Sequence, residues 1–182
     1  MDHVLLLRGV NVGGKHRVVM AELRAHLSAA GATQVVSYIN SGNVLFAAPA
    51  ATAQALVATV LQRHYDFPIA FTLLPAPAYL AAVAAAPTWW GQAEGERHNA
   101  LFTLPGFQPE YRDLIRQKAT PYDRIAFTEH VLFWSSPAKQ NFSQALYAKM
   151  LPEPYYPLVS IRNRNTTLKL ASLLQQRAAS TL

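Results

Sequence analysis

The sequence predicts an α+β fold built from two tandem ferredoxin-like βαββαβ(α) halves, each with an antiparallel sheet. The apolar pattern runs strand, helix, strand, strand, helix, strand, helix, and the same order recurs from His98 onward. The Asn, Ser and Gly residues at positions 40–43 lie between two β-rich runs, which is typical of a hairpin. A β-α-β-β-α-β unit is the ferredoxin-like arrangement, in which the helices pack on one face of the sheet.

In the first half, hydrophobic spacing defines each predicted element. The first helix has Met20, Leu23 and Leu27 at spacings of three and four residues, and it stops at Gly31. The predicted elements are strand Val4–Leu7, helix Val19–Ala30, strands Gln34–Ile39 and Val44–Ala47, helix Thr52–Tyr65, strand Ile69–Leu74 and helix Ala78–Ala86.

The second half repeats this order. Its predicted elements are strand Ala100–Leu104, helix Glu110–Lys118, strands Arg124–Thr128 and Val131–Ser135, helix Ser143–Met150, strand Leu158–Arg162 and helix Thr167–Ala178. A short echo between Val44–Pro49 and Val131–Pro137 places matching strands in the two halves. We therefore expect halves at residues 1–87 and 98–182, joined by a linker at 88–97, in one compact two-lobed molecule.

The composition indicates a soluble protein, which we expect to be cytoplasmic. The chain has 182 residues, 51% of them hydrophobic, and it lacks cysteine, a signal-peptide pattern and a membrane-length apolar run. The six histidines are scattered without metal-ligand spacing, so no metal or cofactor is predicted. Basic residues number 16 against 10 acidic ones, and no carboxylate side chain follows Glu153. This excess favours an anionic partner, although a net charge of +6 could equally serve solubility alone.

A glycine-rich basic loop, Arg8–Arg17, joins the first strand to the first helix. Strand, glycine loop and helix expose backbone N–H groups to an anion, because a helix start has unpaired donors and a positive dipole end. The spacing Gly9-x-x-x-x-Gly14-Lys15 matches a phosphate-binding P-loop, but His16 replaces the hydroxyl residue that binds magnesium. The topology places this loop and the 40–43 turn at the same edge of the sheet, where they would form one composite site.

A second basic segment runs from the last strand into the last helix. Arg162, Arg164 and Lys169 can bind an anion and would close the site from the second half, while Asn165 or Thr166 can cap the helix. The complete set of predicted ligand-binding residues is Arg8, Asn11, Gly13, Gly14, Lys15, Arg17, Ser41, Gly42, Asn43, Arg162, Arg164 and Lys169.

Several of these segments resemble a bacterial family catalogued as domain of unknown function 1697. The resemblance rests on residues 6–15, 20–24 and 38–44, and on Arg162-Asn163 with Thr166 and Lys169-Leu170. It implies a small cytoplasmic α+β protein of about this length. The family has no assigned activity, so the resemblance supplies no catalytic residues.

Three classes of function follow from these observations. The first is a protein that binds a nucleotide, a nucleic acid or another phosphate ligand through the basic loop. The second is a small metal-independent enzyme acting on such a substrate, with His16 or Ser41 in proton transfer. The third is a structural or dimerising protein whose motifs serve the fold alone. The sequence predicts no membrane partner and leaves the oligomeric state open.

Overall fold

A computed structural model describes residues 1–180. The chain divides into two compact units, one formed by Met1–Leu80 with the C-terminal residues from Leu170 on, the other by Ala81–Lys169. This division differs from halves at 1–87 and 98–182, because the final helix contributes residues to both units. Within the first unit, Arg177 of that helix binds Asp2 at 3.0 Å and donates hydrogen bonds to the carbonyl oxygens of Gln34 and Leu45.

The first unit contains a four-stranded antiparallel sheet. Its elements are β1 (Asp2–Leu7), α1 (Met20–Ala29), β2 (Thr33–Tyr38), β3 (Asn43–Ala47), α2 (Ala50–His64) and β4 (Phe71–Pro75), and α3 (Ala76–Ala84) begins in it. The strand order is β2-β3-β1-β4 with antiparallel neighbours throughout. This is the ferredoxin-like order, so the predicted α+β class is confirmed.

The core of the first unit lies between the sheet and helices α1 and α2. Leu5 and Leu7 of β1 contribute to it together with Val44 and Phe46 of β3. The helices supply buried residues at helical spacing: Leu23 and Leu27 from α1, and Val57, Val60 and Leu61 from α2. Each fully buried leucine contributes about 1.5–3 kcal/mol to the hydrophobic stabilisation. The core therefore holds β1 firmly, and the loop that follows β1 starts from a fixed base.

The second unit repeats the sheet topology of the first. Its elements are β5 (Glu96–Thr103), α4 (Glu110–Lys118), β6 (Arg124–Phe127), β7 (Val131–Pro137), β8 (Val159–Asn163) and the start of α5 (Arg164–Ala179). The strand order β6-β7-β5-β8 is equivalent to that of the first sheet, and all neighbours are antiparallel.

The predicted helix Ser143–Met150 is wrong. Short 3₁₀ turns at Phe142–Gln144 and Leu146–Lys149 take its place, and a third at Tyr156–Leu158 directly precedes β8. The backbone N–H groups of Leu146 and Tyr147 donate to the carboxylate of Asp123, at 2.8 and 3.2 Å. An α-helix over Ser143–Met150 would pair the Tyr147 N–H with the Ser143 carbonyl, so its bond to Asp123 diverts the segment from helical geometry.

The short sequence echo identifies equivalent strands but misses their register by one residue. On the helix-covered face, Leu5 pairs with Val44 in the first sheet and Leu101 pairs with Leu132 in the second. Val44 is therefore equivalent to Leu132, whereas the echo aligns it with Val131. A shift of one residue moves every side chain to the opposite face of a strand.

The last helix begins earlier than predicted and has a different cap. It starts at Arg164, and the side-chain oxygen of Asn163 accepts a hydrogen bond from the backbone N–H of Thr166 at 2.8 Å. Asn163 therefore caps the helix, in place of the expected Asn165 or Thr166. Among residues 1–180, no helix is both long and apolar enough to cross a membrane.

Candidate functional site

The glycine-rich loop is a small β-hairpin that extends from the end of β1. Asn11 N–H donates to the His16 carbonyl at 3.1 Å, and Lys15 N–H donates to the Val12 carbonyl at 3.1 Å. Gly13 and Gly14 form the tip with φ of 59° and 75°. Positive φ at both central residues defines a type I′ turn, and glycine adopts it without steric cost. Only a loop is predicted here from the sequence, and the Gly-Gly pair between Val12 and Lys15 is the signal that would have predicted the hairpin.

Asn11 connects the hairpin to the chain around it. Its side-chain oxygen accepts from Val18 N–H at 2.8 Å, and its side-chain nitrogen donates to the Val18 carbonyl at 2.9 Å. The same nitrogen donates to the Asn40 carbonyl at 2.7 Å. The loop and the β2–β3 turn therefore lie together. Asn11 was expected to orient a ligand, but its amide is engaged in these three bonds with the main chain.

The β2–β3 turn packs tightly under the loop. Leu7 N–H donates to the Gly42 carbonyl at 2.8 Å, and a Cβ added to Gly42 would lie 2.6 Å from the Leu7 Cβ. Asn43 is completely buried, with its side chain donating to the Tyr38 carbonyl at 3.0 Å. Ser41 is exposed. Of the three turn residues predicted to bind a ligand, Gly42 and Asn43 thus serve the packing of the turn.

A groove of about 410 Å³ lies between the hairpin and the start of α1. It is lined by Asn11, Gly14, Lys15, Arg17, Val18, Val19, Met20 and Asn40. Val19, the residue that precedes α1, makes no side-chain capping hydrogen bond. The exposed cations Lys15 and Arg17 have no ion-pair partner within residues 1–180. Arg8 and Gly13 do not line this groove, and Arg8 N–H donates to the Ala70 carbonyl at 2.8 Å.

Two features of this edge escaped sequence reasoning. The imidazole of His16 stacks on the ring of Phe67, with centroids 4.8 Å apart and an interplanar angle of 23°. Val12 at the hairpin tip and Ile39 in the neighbouring turn are 68% and 50% exposed. Each of these two features combines residues from separate loops, so no local periodicity in the sequence predicts it.

The three predicted cations of the second half belong to the second unit. Arg162 is only 7% exposed and donates to the Ser160 hydroxyl at 3.0 Å and to the Ile161 carbonyl at 2.9 Å. Arg164 donates through Nε to the Trp90 carbonyl at 3.2 Å, and Lys169 is exposed. A role for these side chains in closing the loop's site stays a prediction.

The second unit also contains a histidine–serine pair on neighbouring strands. His98 Nδ1 lies 2.6 Å from Ser135 Oγ, and His98 Nε2 lies 3.3 Å from the Ala93 carbonyl. Since that carbonyl can only accept, Nε2 carries the proton in the neutral ring, and Nδ1 then accepts from the serine hydroxyl. Ser135 is 1% exposed, so the pair holds β5, β7 and the preceding loop together. Within residues 1–180, no three His, Asp or Glu side chains are grouped to hold a metal ion.

The fold and this edge define a class of α+β protein with two ferredoxin-like units and a glycine-rich hairpin beside the first sheet. The chain belongs to the family described as "Protein of unknown function (DUF1697)", whose sequence profile matches residues 1–133. A solved structure of the conserved bacterial protein SP0830 from Streptococcus pneumoniae is similar, with a TM-score of 0.85 and 33% identity. The similarity covers 95% of this chain and 98% of the other. A search of curated proteins finds no match.

Proposed function

We propose that the protein binds an anionic ligand, a nucleotide or a nucleic acid, in the groove between the hairpin and α1. One observation carries the proposal: Lys15 and Arg17 line this groove without any ion-pair partner among the described residues, beside a helix start that lacks a side-chain cap. The N-terminus of a helix attracts negative charge through its unpaired N–H groups and its dipole.

The surroundings of the groove favour the same kind of ligand. None of the described residues that line it has a carboxylate side chain, and Glu22, the acidic residue in the first turn of α1, does not line it. Gly14 has no side chain to keep a phosphate from the backbone, and nothing lies within 4 Å of where its Cβ would be. The Asn11 bonds fix the base of the hairpin, so less order is lost when a ligand binds.

The proposal is tested by measuring the binding of ATP and of a fluorescently labelled oligonucleotide to the wild type and to Lys15→Ala/Arg17→Ala. Each lost charge-assisted contact weakens binding by roughly tenfold or more. The control is Arg63→Ala/Lys139→Ala, which removes the same charge from two exposed side chains that do not line the groove. Equal affinity of the groove variant and the wild type for both probes would refute the proposal.

The salt dependence separates the two ligand classes. If the ligand is a nucleic acid bound through several phosphates, the logarithm of the affinity falls linearly and steeply with the logarithm of the salt concentration. The Lys15→Ala/Arg17→Ala variant should then show a shallower slope than the wild type, because fewer counterions are released. A mononucleotide with its few charges gives a shallow slope for both proteins.

A further inference from the structure

A second cavity, of about 360 Å³, lies entirely within the second unit. The loop before β5 forms one wall with residues 91–94, and Glu96 and His98 of β5 add to it. Residues 163–165, at the junction of β8 and α5, complete the lining. Polar groups dominate this lining, whereas the lining of the groove in the first unit is more apolar.

Fixed contacts shape this cavity. Arg164 crosses directly over Gly91, where any Cβ would collide with the guanidinium group, and φ of Gly91 is 104°. The Arg164 guanidinium also lies 5.7 Å from the centroid of the Trp90 ring. On the other side, the hydrogen bond of His98 to the Ala93 carbonyl ties the loop to β5. These contacts hold the loop backbone at Gly91 and Ala93 against Arg164 and β5.

Two opposite charges line the cavity without neutralising each other. Only Nε of Arg164 has a hydrogen-bond partner within residues 1–180, so its two terminal nitrogens are available. The carboxylate of Glu94 has no hydrogen bond or ion pair in that range, and it lies beyond 4.0 Å from any Arg164 nitrogen. The neighbouring Glu96, in contrast, is already paired with Arg124 at 2.7 and 2.8 Å.

We infer that this cavity binds a small zwitterion, a free polar amino acid. Its carboxylate pairs with the terminal nitrogens of Arg164, in the two-pronged geometry that guanidinium groups favour. Its ammonium group pairs with Glu94. A ligand of one sign would leave one of the two charges unmatched, whereas a zwitterion matches both. The amides of Gln92, Asn163 and Asn165 around the cavity suit a polar side chain.

The test uses calorimetric titration of the whole protein with each of the standard L-amino acids up to millimolar concentration. The tightest binder is then compared with two analogues, one lacking the α-ammonium group and one lacking the α-carboxylate. The wild type should bind the amino acid about tenfold or more tightly than either analogue. Glu94→Gln should bind the amino acid and the analogue without ammonium equally well, since the variant lacks the negative charge that pairs with the ammonium group.

Two further variants separate loss of the proposed contacts from a general effect of substitution. Glu129→Gln removes an exposed carboxylate from the β6–β7 turn of the same unit and should leave binding unchanged. Arg164→Lys keeps the positive charge but loses the guanidinium fork. It should weaken the binding of the amino acid and leave the binding of the analogue without carboxylate unchanged. The inference is overturned if no amino acid binds, if both analogues bind as well as the amino acid, or if Glu94→Gln binds like the wild type.

Discussion

The side-chain nitrogen of Asn11 donates a hydrogen bond to the main-chain oxygen of Asn40 at 2.7 Å. This bond joins the glycine-rich hairpin to the β2–β3 turn, and the same side chain also makes two bonds to Val18. Asn11 has φ of 56°, a conformation that asparagine tolerates better than most residues. One side chain thus sets the position of the groove that Lys15 and Arg17 line.

We expect Asn11→Gly to destabilise the protein by about 1–3 kcal/mol, because three main-chain groups lose their partner. Glycine retains the positive φ, so the loss reports on the amide and not on backbone strain. Urea unfolding measures the change. Asn141→Gly is the matched control, since Asn141 also has positive φ, 62°, and its exposed side chain makes one hydrogen bond within residues 1–180, accepted from Gln144 at 3.1 Å. Equal stability of Asn11→Gly and the wild type would contradict the role assigned to Asn11.

Gly42 and Gly13 provide a second comparison. Both have positive φ, 73° and 59°, so alanine at either position is strained by about 1–2 kcal/mol. Only at Gly42 would the new Cβ also collide with the Leu7 side chain, at 2.6 Å, while Gly13 has nothing within 4 Å. We expect Gly42→Ala to lower the free energy of unfolding by about 1 kcal/mol more than Gly13→Ala does. Similar losses in urea unfolding would show that the turn relaxes around the extra methyl group.

Local patterns account for what the sequence predicted well. The helix Glu110–Lys118 has the same bounds in the prediction and in the structure, because its spacing and its end signals lie within the helix. The strand order follows from the ferredoxin-like element order and the antiparallel hairpins. Both kinds of signal are contained in short stretches of chain, where periodicity and turn chemistry act directly.

Long-range contacts account for the errors. Residues 143–150 read as a helix by periodicity, yet their course is set by Asp123, which lies earlier in the chain and on another element. The stacking of His16 on Phe67 likewise joins two separate loops. In the candidate site, the sequence identified the loop and the turn but not the role of Asn11, because only the folded chain shows which partners its amide meets.

Asp123 leads to a prediction about pH. Its carboxylate accepts five hydrogen bonds: from the backbone N–H groups of Thr120, Leu146 and Tyr147, the Thr120 hydroxyl and the Trp134 indole. Burial raises the pKa of Asp123, but the hydrogen bonds from Thr120, Leu146 and Trp134 outweigh it and hold the pKa below the usual 3.8. The folded state therefore binds this proton less readily than the unfolded state does.

The sign of the effect follows from this difference. The stabilisation by Asp123 is fully present above the unfolded pKa and is lost as the pH falls through the lower folded pKa. Asp123→Asn should therefore be less stable than the wild type at neutral pH, by about 1–3 kcal/mol, since an amide is a poorer acceptor for these donors. The difference in the free energy of unfolding between the two proteins should narrow as the pH falls from about 5 toward 2, because Asp123 of the wild type becomes protonated there. Chemical unfolding across this range measures both curves, and Asp113→Asn, at an exposed position, is the control. A gap that stays constant with pH would show that the ionised form of Asp123 is not what anchors residues 146–147.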